Sequence, residues 1–177
     1  YEDTLDYDYC NNDGDPTPSY YDGHGTSAAG VAAAAGNNTI GVSGAAPRAG
    51  LAGLLLIACS TTDVRESNSL SHERQNIDIY SNSWGPSDNG RTVEAPGPLM
   101  LAAFEDDVAQ GRGGLGNIIT WAAGNGLKND DKSNYDSEGI FELTKTFDKY
   151  PDREIFFSFS HHNHDAVSYT HLTLPTK

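Results

Sequence analysis

The chain has 177 residues, the size of one domain, and its 11 Lys and Arg face 25 Asp and Glu, for a formal net charge of −14. Seventeen of the acids are Asp; that balance excludes a nucleic-acid surface, which needs clustered basic side chains, and no apolar run approaches the roughly 18 residues of a membrane span. With 37% apolar residues and 19 glycines the composition is globular, neither disordered nor collagen-like.

Residues 1–23 are rich in Asp, Asn, Pro and Gly and read as a turn-rich loop. An EF-hand calcium loop does not fit there. Placing Gly14 at its sixth position puts Tyr9 at the first, where a carboxylate is needed. Residues 26–35 are small and Ala-rich and predict a helix with tight packing at Gly30, closed by Gly36-Asn37-Asn38. Residues 51–58 (LAGLLLIA) predict a strand buried on both faces. Residues 62–74 read as a weakly amphipathic helix with Val64 and Leu70 inward, and 77–84 as a strand. Residues 98–110 predict a helix burying Leu101, Phe104 and Val108, with Gly111 as its stop. Residues 117–123 (NIITWAA) are a further buried strand. The alternation of helix and strand predicts an α/β fold, a parallel sheet with helices on its faces. In such sheets the site lies beyond the carboxyl ends of the strands, here at Ser83-Trp84-Gly85 and Gly124-Asn125-Gly126. After Asp136 this rhythm stops.

Cys10 and Cys59 allow at most one internal disulfide and leave the compartment open. The first residue, Tyr1, is neither an initiator Met nor the start of a signal peptide, so a processed chain or a piece of a longer protein is expected.

Two motifs carry chemistry. In Asp22-Gly23-His24-Gly25-Thr26-Ser27, a His at a helix start followed by small residues can present its imidazole to an open cleft; a loop His beside a Gly turn is the plainer alternative. In Trp121-Ala122-Ala123-Gly124-Asn125-Gly126, an Asn amide at the end of a buried strand is a fixed donor suited to an oxyanion, the alternative being a simple Asn-Gly turn. The two lie 101 residues apart, joined by α/β units. Through HGTSAAGVAAA, NNTIGVSGAAP and AAGNG the chain resembles the subtilisin-like serine proteases. Through IDIYSNSWGPSDNGRTVEAPGPL, GRGGLGNIITWAAGNG and SNYD it is similar to their kexin and furin branch, and a bacterial version is expected. The similarity runs from about Asp6 to Asp136.

That resemblance implies a subtilisin-like parallel sheet with helices on both faces, of which this chain holds a part. It implies that His24 is the charge-relay base and Asn125 the oxyanion asparagine. For that asparagine the family supplies the known measure, a loss of about 10²–10³ in turnover on removal. Ser83, Trp84 and Gly85 match the strand that pairs with the substrate backbone and walls the first specificity pocket. Asp88 and Asp136 match the acids at the base of that pocket, where an arginine is received. Glu66 and Glu94 match acids that favour a second basic residue upstream in the substrate. Asp88 with Asp131 matches a calcium site beside the pocket, and Gly36, Asn38, Ile40 and Val42 match a calcium-holding loop. A guanidinium prefers doubly accepting carboxylates, and two converging acids repel unless a cation lies between them. Tyr21 and Ser87 stand where strict convertases tend to have acids, and Leu127 replaces a glycine; these departures imply a looser demand for basic residues.

The family triad runs Asp, His, Ser along the chain, so the catalytic Asp is expected before Tyr1 and the nucleophile beyond Asp136. Ser27 is a poor nucleophile candidate: His24 precedes its motif, and Val31 stands where the serine motif has proline. Residues 1–136 are therefore read as the central part of a subtilase catalytic domain. Residues 137–166 are unassigned and a candidate for a chimeric join. Val167-Ser168-Tyr169-Thr170-His171-Leu172 is what a transposon end used in sequencing libraries encodes, so 167–177 reads as translated adapter. His161, His162 and His164 lack a second ligand group at a sensible spacing for a metal. The expectation is a piece of a secreted, calcium-stabilised serine endopeptidase acting on peptides or proteins. Its rivals are a non-catalytic subtilase-fold module and a plain acidic calcium-binding domain.

Overall fold

The structure, a computed structural model, describes residues 3–122 and 124–130. Asp131, Asp136, the 161–164 cluster and everything expected of 137–177 lie outside the described residues. The chain forms two compact units, Tyr1–Arg65 and Glu66–Lys177.

In the first unit, what reads as one long loop contains a 3₁₀ turn, Asp3–Leu5, and a short strand β1, Tyr7–Asp8. β1 pairs in parallel with β2, Leu54–Leu55, with Tyr7 opposite Leu54 and Asp8 opposite Leu55. The expected eight-residue strand is thus only two residues long. Leu54 and Leu55 are half-buried and Ile57 is exposed, because β1 is the sole partner of β2 among the described residues and a strand buries both faces only inside a wider sheet. Asp8 is buried, and its carboxylate accepts the backbone N–H of Cys10 at 2.6 Å and of Asn11 at 3.0 Å. This fixes the exit of β1, where Cys10 is joined by a disulfide to Cys59 across 49 residues of chain.

Helix α1, His24–Ala33, starts two residues earlier than predicted and stops before the expected Gly36 closure. Of its ten residues only Ala33 is buried. Nothing described lies within 4 Å of a Cβ built at Gly30, so the tight packing expected there is not observed. The helix is stopped by the chain that returns beneath it. Gly44 N–H donates to Ala34 O at 2.9 Å, Ala45 N–H to Val31 O at 3.0 Å and Ala46 N–H to Ala32 O at 2.8 Å, satisfying the last carbonyls of the helix. A Cβ at Gly44 would lie 2.4 Å from Ala34 N and 2.5 Å from Ala33 N, backbone atoms that cannot turn aside. Gly44→Ala is therefore expected to cost about 1–3 kcal/mol, read as a lower urea midpoint of the parent protein. An unchanged midpoint would show that this return strap adds nothing.

Helix α2, Asp63–Leu70, is shorter than predicted. Thr62 Oγ1 accepts the Arg65 N–H at 3.3 Å and caps its start. Leu70 is buried as expected, but Val64 is 53% exposed: the buried face runs through Ser67, Ser69 and Leu70. In the second unit, β3, Ile79–Asn82, pairs in parallel with β4, Ile118–Trp121, from Ile79 opposite Ile118 to Asn82 opposite Trp121. Both are shorter than predicted. The class is α/β with parallel pairing, realised among the described residues as two strand pairs, one in each unit.

Helix α3, Pro98–Gly114, begins with Pro in its first turn and leaves helical geometry at Gly111, as the stop residue predicts. Arg112 and Gly113 follow with φ of 53° and 65°. The buried stripe is Met100, Ala103, Phe104, Asp107, Val108 and Gly111, so Met100 takes the place expected for Leu101, which is half-buried. Gln75 and Arg112 tie off the helix end: Gln75 Oε1 accepts Gly113 N–H at 2.7 Å, Gln75 Nε2 donates to Gln110 O at 2.9 Å, and Arg112 Nε donates to Asp78 Oδ1 at 2.7 Å. Phe104 and Leu70 are fully buried, and the Tyr80 hydroxyl donates to His72 O at 2.7 Å. A buried carboxylate, Asp107, lies 3.2 Å from Arg74 Nε.

Candidate active site

His24 opens α1 with its side chain exposed. Gly23 stands at the N-cap and offers no side-chain cap, so the helix end around His24 stays open. Ser27 Oγ donates to Gly23 O at 3.0 Å, a local helix bond rather than a bond to an imidazole. Tyr20 and Tyr21, both exposed, form an edge-on pair 5.2 Å apart in the turn leading to His24. That turn is closed by Asp22 N–H donating to Ser19 O at 3.0 Å and by the Ser19 hydroxyl donating to the Asp22 carboxylate.

In the second unit the site segments lie past the carboxyl ends of β3 and β4. Ser83, Trp84 and Gly85 follow β3 directly, and Trp84 is locked in place. Its indole Nε1 donates to Asn82 Oδ1 at 3.2 Å, Trp121 Nε1 donates to Trp84 O at 2.7 Å, and the two indoles meet edge-to-face at 4.4 Å. Beyond β4, Gly124 has φ 83°, a left-handed turn that glycine adopts without strain, and Asn125 follows, exposed. Asp88 meets Asn125. Its Oδ1 accepts the Asn125 backbone N–H at 2.7 Å and its Oδ2 lies 3.5 Å from Asn125 Nδ2. Asn129 Nδ2 donates to Asp88 O at 2.6 Å.

Asp88 and Asn125, chosen for different roles in the sequence, are thus brought into contact. Glu66 sits half-buried on α2, and Glu94 is exposed in the chain between β3 and α3. Asp136, the second expected pocket acid, lies outside the described residues. Sequence reasoning missed Asn129, for which no local signal exists, and the pairing of the two indoles across the strand ends.

The expected calcium ligands are tested by their donor chemistry. Among the described residues no three His, Cys, Asp or Glu side chains gather as a metal site. In the 36–42 loop, Asn38 Oδ1 is taken by the Ile40 N–H at 3.0 Å, and Asn38, Ile40 and Val42 are exposed. A Cβ at Gly36 would lie 2.4 Å from Ser43 Oγ. The loop offers carbonyls and no carboxylate, whereas calcium takes six to eight oxygens, usually with acids among them. Asp88 lacks its described partner, because Asp131 lies outside the described residues. The described residues alone do not make up a calcium site.

A family model, the subtilase family of peptidases, matches residues 1–144. The chain is 43% identical over 140 residues to furin-like protease 1, isoform 1-CRR, of Drosophila melanogaster, covering 77% of this chain and 13% of that protein. It is 48% identical over 137 residues to neuroendocrine convertase 2 of Rattus norvegicus, covering 74% and 21%. It is 43% identical over 140 residues to proprotein convertase subtilisin/kexin type 6 of the same rat species, covering 77% and 15%. The chain thus spans from 13% to 21% of the length of these curated relatives. All three are animal proteins, so the bacterial version expected from the sequence finds no support.

Proposed function

Because the chain belongs to the subtilase family, we propose that residues 1–136 are the central part of the catalytic domain of a kexin- or furin-like serine endopeptidase cutting peptides and proteins after basic residues. The observation that carries this reading is the meeting of Asp88 and Asn125 beyond the carboxyl ends of a parallel strand pair. The whole domain would complete these strand pairs into one sheet with helices on both faces.

In this reading His24 takes the proton of a serine hydroxyl as that oxygen bonds the scissile carbonyl carbon. The carbonyl electron pair moves onto oxygen, where an Asn125 amide N–H meets the developing charge. Collapse of the tetrahedral adduct breaks the C–N bond, and the departing amine takes its proton from His24. A water deprotonated by His24 then cleaves the acyl ester and regenerates the serine. That serine, and the aspartate that orients His24, are assigned to parts of the parent beyond this segment.

Ser83, Trp84 and Gly85 hold the substrate backbone, Asp88 and Asp136 receive a basic side chain before the cut, and Glu66 and Glu94 favour another further upstream. Calcium is proposed beside the pocket, held by Asp88 with Asp131; bound there, it would neutralise acids that otherwise repel. An extracytoplasmic site of action is proposed from the Cys10–Cys59 bridge, since disulfides persist where the surroundings are oxidising.

A charge-assisted contact contributes about 1.5–3 kcal/mol, so each acid is expected to give roughly tenfold discrimination or more. The test is a peptide-library cleavage profile of the full-length parent, with and without calcium. The expected result is cutting after Arg or Lys, weakened by chelation and by Asp136→Asn. A profile dominated by large apolar residues would remove the basic-pocket assignment. A full-length parent with an intact triad and no turnover would favour a non-catalytic subtilase fold instead.

A further inference from the structure

Beyond β3, the loop that carries Asp88 is itself rigidly built. Asn89 Oδ1 accepts the N–H groups of Arg91 at 2.8 Å and Thr92 at 2.9 Å. Gly90 has φ 69°, and a Cβ there would fall 2.1 Å from Asn129 O. Asn129 in turn donates to Asp88 O at 2.6 Å. The loop and the Asn125 turn therefore interlock at two points besides the Asp88 carboxylate.

That carboxylate does two separate things. Through Oδ1 it accepts the backbone N–H of Asn125 at 2.7 Å, which fixes where the turn sits. Through Oδ2 it faces the side-chain amide at 3.5 Å, too long for a strong bond but close enough to steer. An ionised carboxylate only accepts, whereas an Asn amide has a donating end and an accepting end. A flipped Asn125 would set its carbonyl oxygen against two negative oxygens. The charge of Asp88 thus keeps the NH₂ end turned toward it. The amide nitrogen has two N–H groups, so one directed at Asp88 leaves the other for an anionic oxygen.

We propose that Asp88 is a positioning residue for the oxyanion donor. It selects the orientation of the Asn125 amide and holds its turn, independently of any basic side chain in the pocket. This rests on the reading of Asn125 as that donor. Its consequence is that loss of Asp88 slows turnover even of substrates that carry no charge for it to bind.

The experiment uses the full-length parent and two peptide series, one with Arg and one with Leu before the cut. The variants are Asp88→Asn, Asp88→Ala, Asn125→Ala and the double Asp88→Ala/Asn125→Ala. On the Leu series Asp88→Ala is expected to lower kcat by about 10- to 100-fold, a part of the full loss of an oxyanion donor, with KM within about twofold of wild type. Asp88→Asn is nearly isosteric and keeps an acceptor for the backbone N–H. It lacks the charge that orients the side-chain amide, so it should recover only part of that kcat, staying clearly below wild type on the Leu series, and should lose the preference for Arg. The double variant should be no slower than Asn125→Ala alone, because the two residues act through one group. Unchanged kcat of Asp88→Ala on the Leu series overturns the proposal, as do losses that multiply in the double variant. If Asp88→Ala fails to fold, the Asp88→Asn kcat on Leu peptides decides: a value equal to wild type overturns it. A wild-type parent that neither reacts with a serine-directed phosphonate nor cleaves any peptide removes the peptidase reading itself. A labelled, active wild type with a normal Asp88→Ala removes only this inference.

Discussion

Replacing Cys10 and Cys59 together by serine in the full-length parent is expected to lower its stability by about 4 kcal/mol. The chain-entropy argument gives about 3 kcal/mol for a 15-residue loop and about 4.7 for a 100-residue one, and this bridge spans 49 residues. Among the described residues the enclosed segment is otherwise held by the short β2–β1 pairing and by buried Leu56. The segment contains α1, in which Ala33 is the one buried residue, and the exposed 37–43 loop. The return strap at Gly44, Ala45 and Ala46 satisfies the helix end but covers almost no apolar surface. Unclosed, the segment bearing His24 gains far more conformations in the unfolded state than it loses contacts in the folded one. For a domain of this kind the loss corresponds to a melting temperature lower by roughly 10 °C. Differential scanning calorimetry of the oxidised wild type, the reduced wild type and the double variant is the measurement. The last two should coincide. A double variant that melts with the oxidised wild type would show the bridge to be idle.

The second large effect belongs to Arg74. Asp107 is 0% exposed, and neither of its carboxyl oxygens has a hydrogen-bond partner among the described residues. Its nearest compensation is Arg74 Nε at 3.2 Å, while Arg74 Nη1 also serves Asp106 at 3.4 Å. Burial pushes the Asp107 carboxyl up from its ordinary 3.8 to about 7, with Arg74 opposing the rise and the neighbouring Asp106 adding to it. The folded protein therefore holds a proton that the unfolded chain has released. The stabilisation from that proton is complete below about 3.8 and is lost as pH rises through about 7. From pH 5 to pH 8 stability should fall, and Asp107→Asn should flatten that slope. Arg74→Ala should cost about 3–5 kcal/mol at pH 8, where it strands a buried charge. At pH 5 the cost should be much smaller, because Asp107 is neutral there. Urea unfolding of the parent at the two pH values checks this. Equal costs of Arg74→Ala at both would sink the assignment.

In α3 Phe104 and Val108 are buried as expected while Met100 displaces Leu101, and the reason is Asp107. Taken as solvent-facing, it leaves Leu101, Phe104 and Val108 as the apolar stripe. Placed inside, it shifts the buried face to Met100, Ala103, Phe104, Asp107, Val108 and Gly111. A charged residue whose burial depends on a partner 33 positions away in sequence cannot be placed by periodicity. The stop at Gly111 was legible because left-handed backbone follows it, a local demand. Strand existence and parallel direction were also legible from apolar runs separated by helices. Their lengths were not, because a strand extends only as far as its neighbour does. At the site, the Gly-rich motifs marked where His24 and Asn125 stand. The contact between Asp88 and Asn125 was not legible, since it joins two loops through an interlock at Gly90 and Asn129.

The two indoles at the ends of β3 and β4 are the only tryptophans in the chain. One precedes Asp88 by four residues and the other precedes Asn125 by four. All the intrinsic tryptophan emission of this segment therefore originates beside the candidate site. At 4.4 Å the edge-on pair should also give an exciton couplet in the far ultraviolet, present only while both loops hold their places. The two indoles thus interrogate the mouth of the strand pair without any label, and a ligand seated there would register as a change in both signals at once.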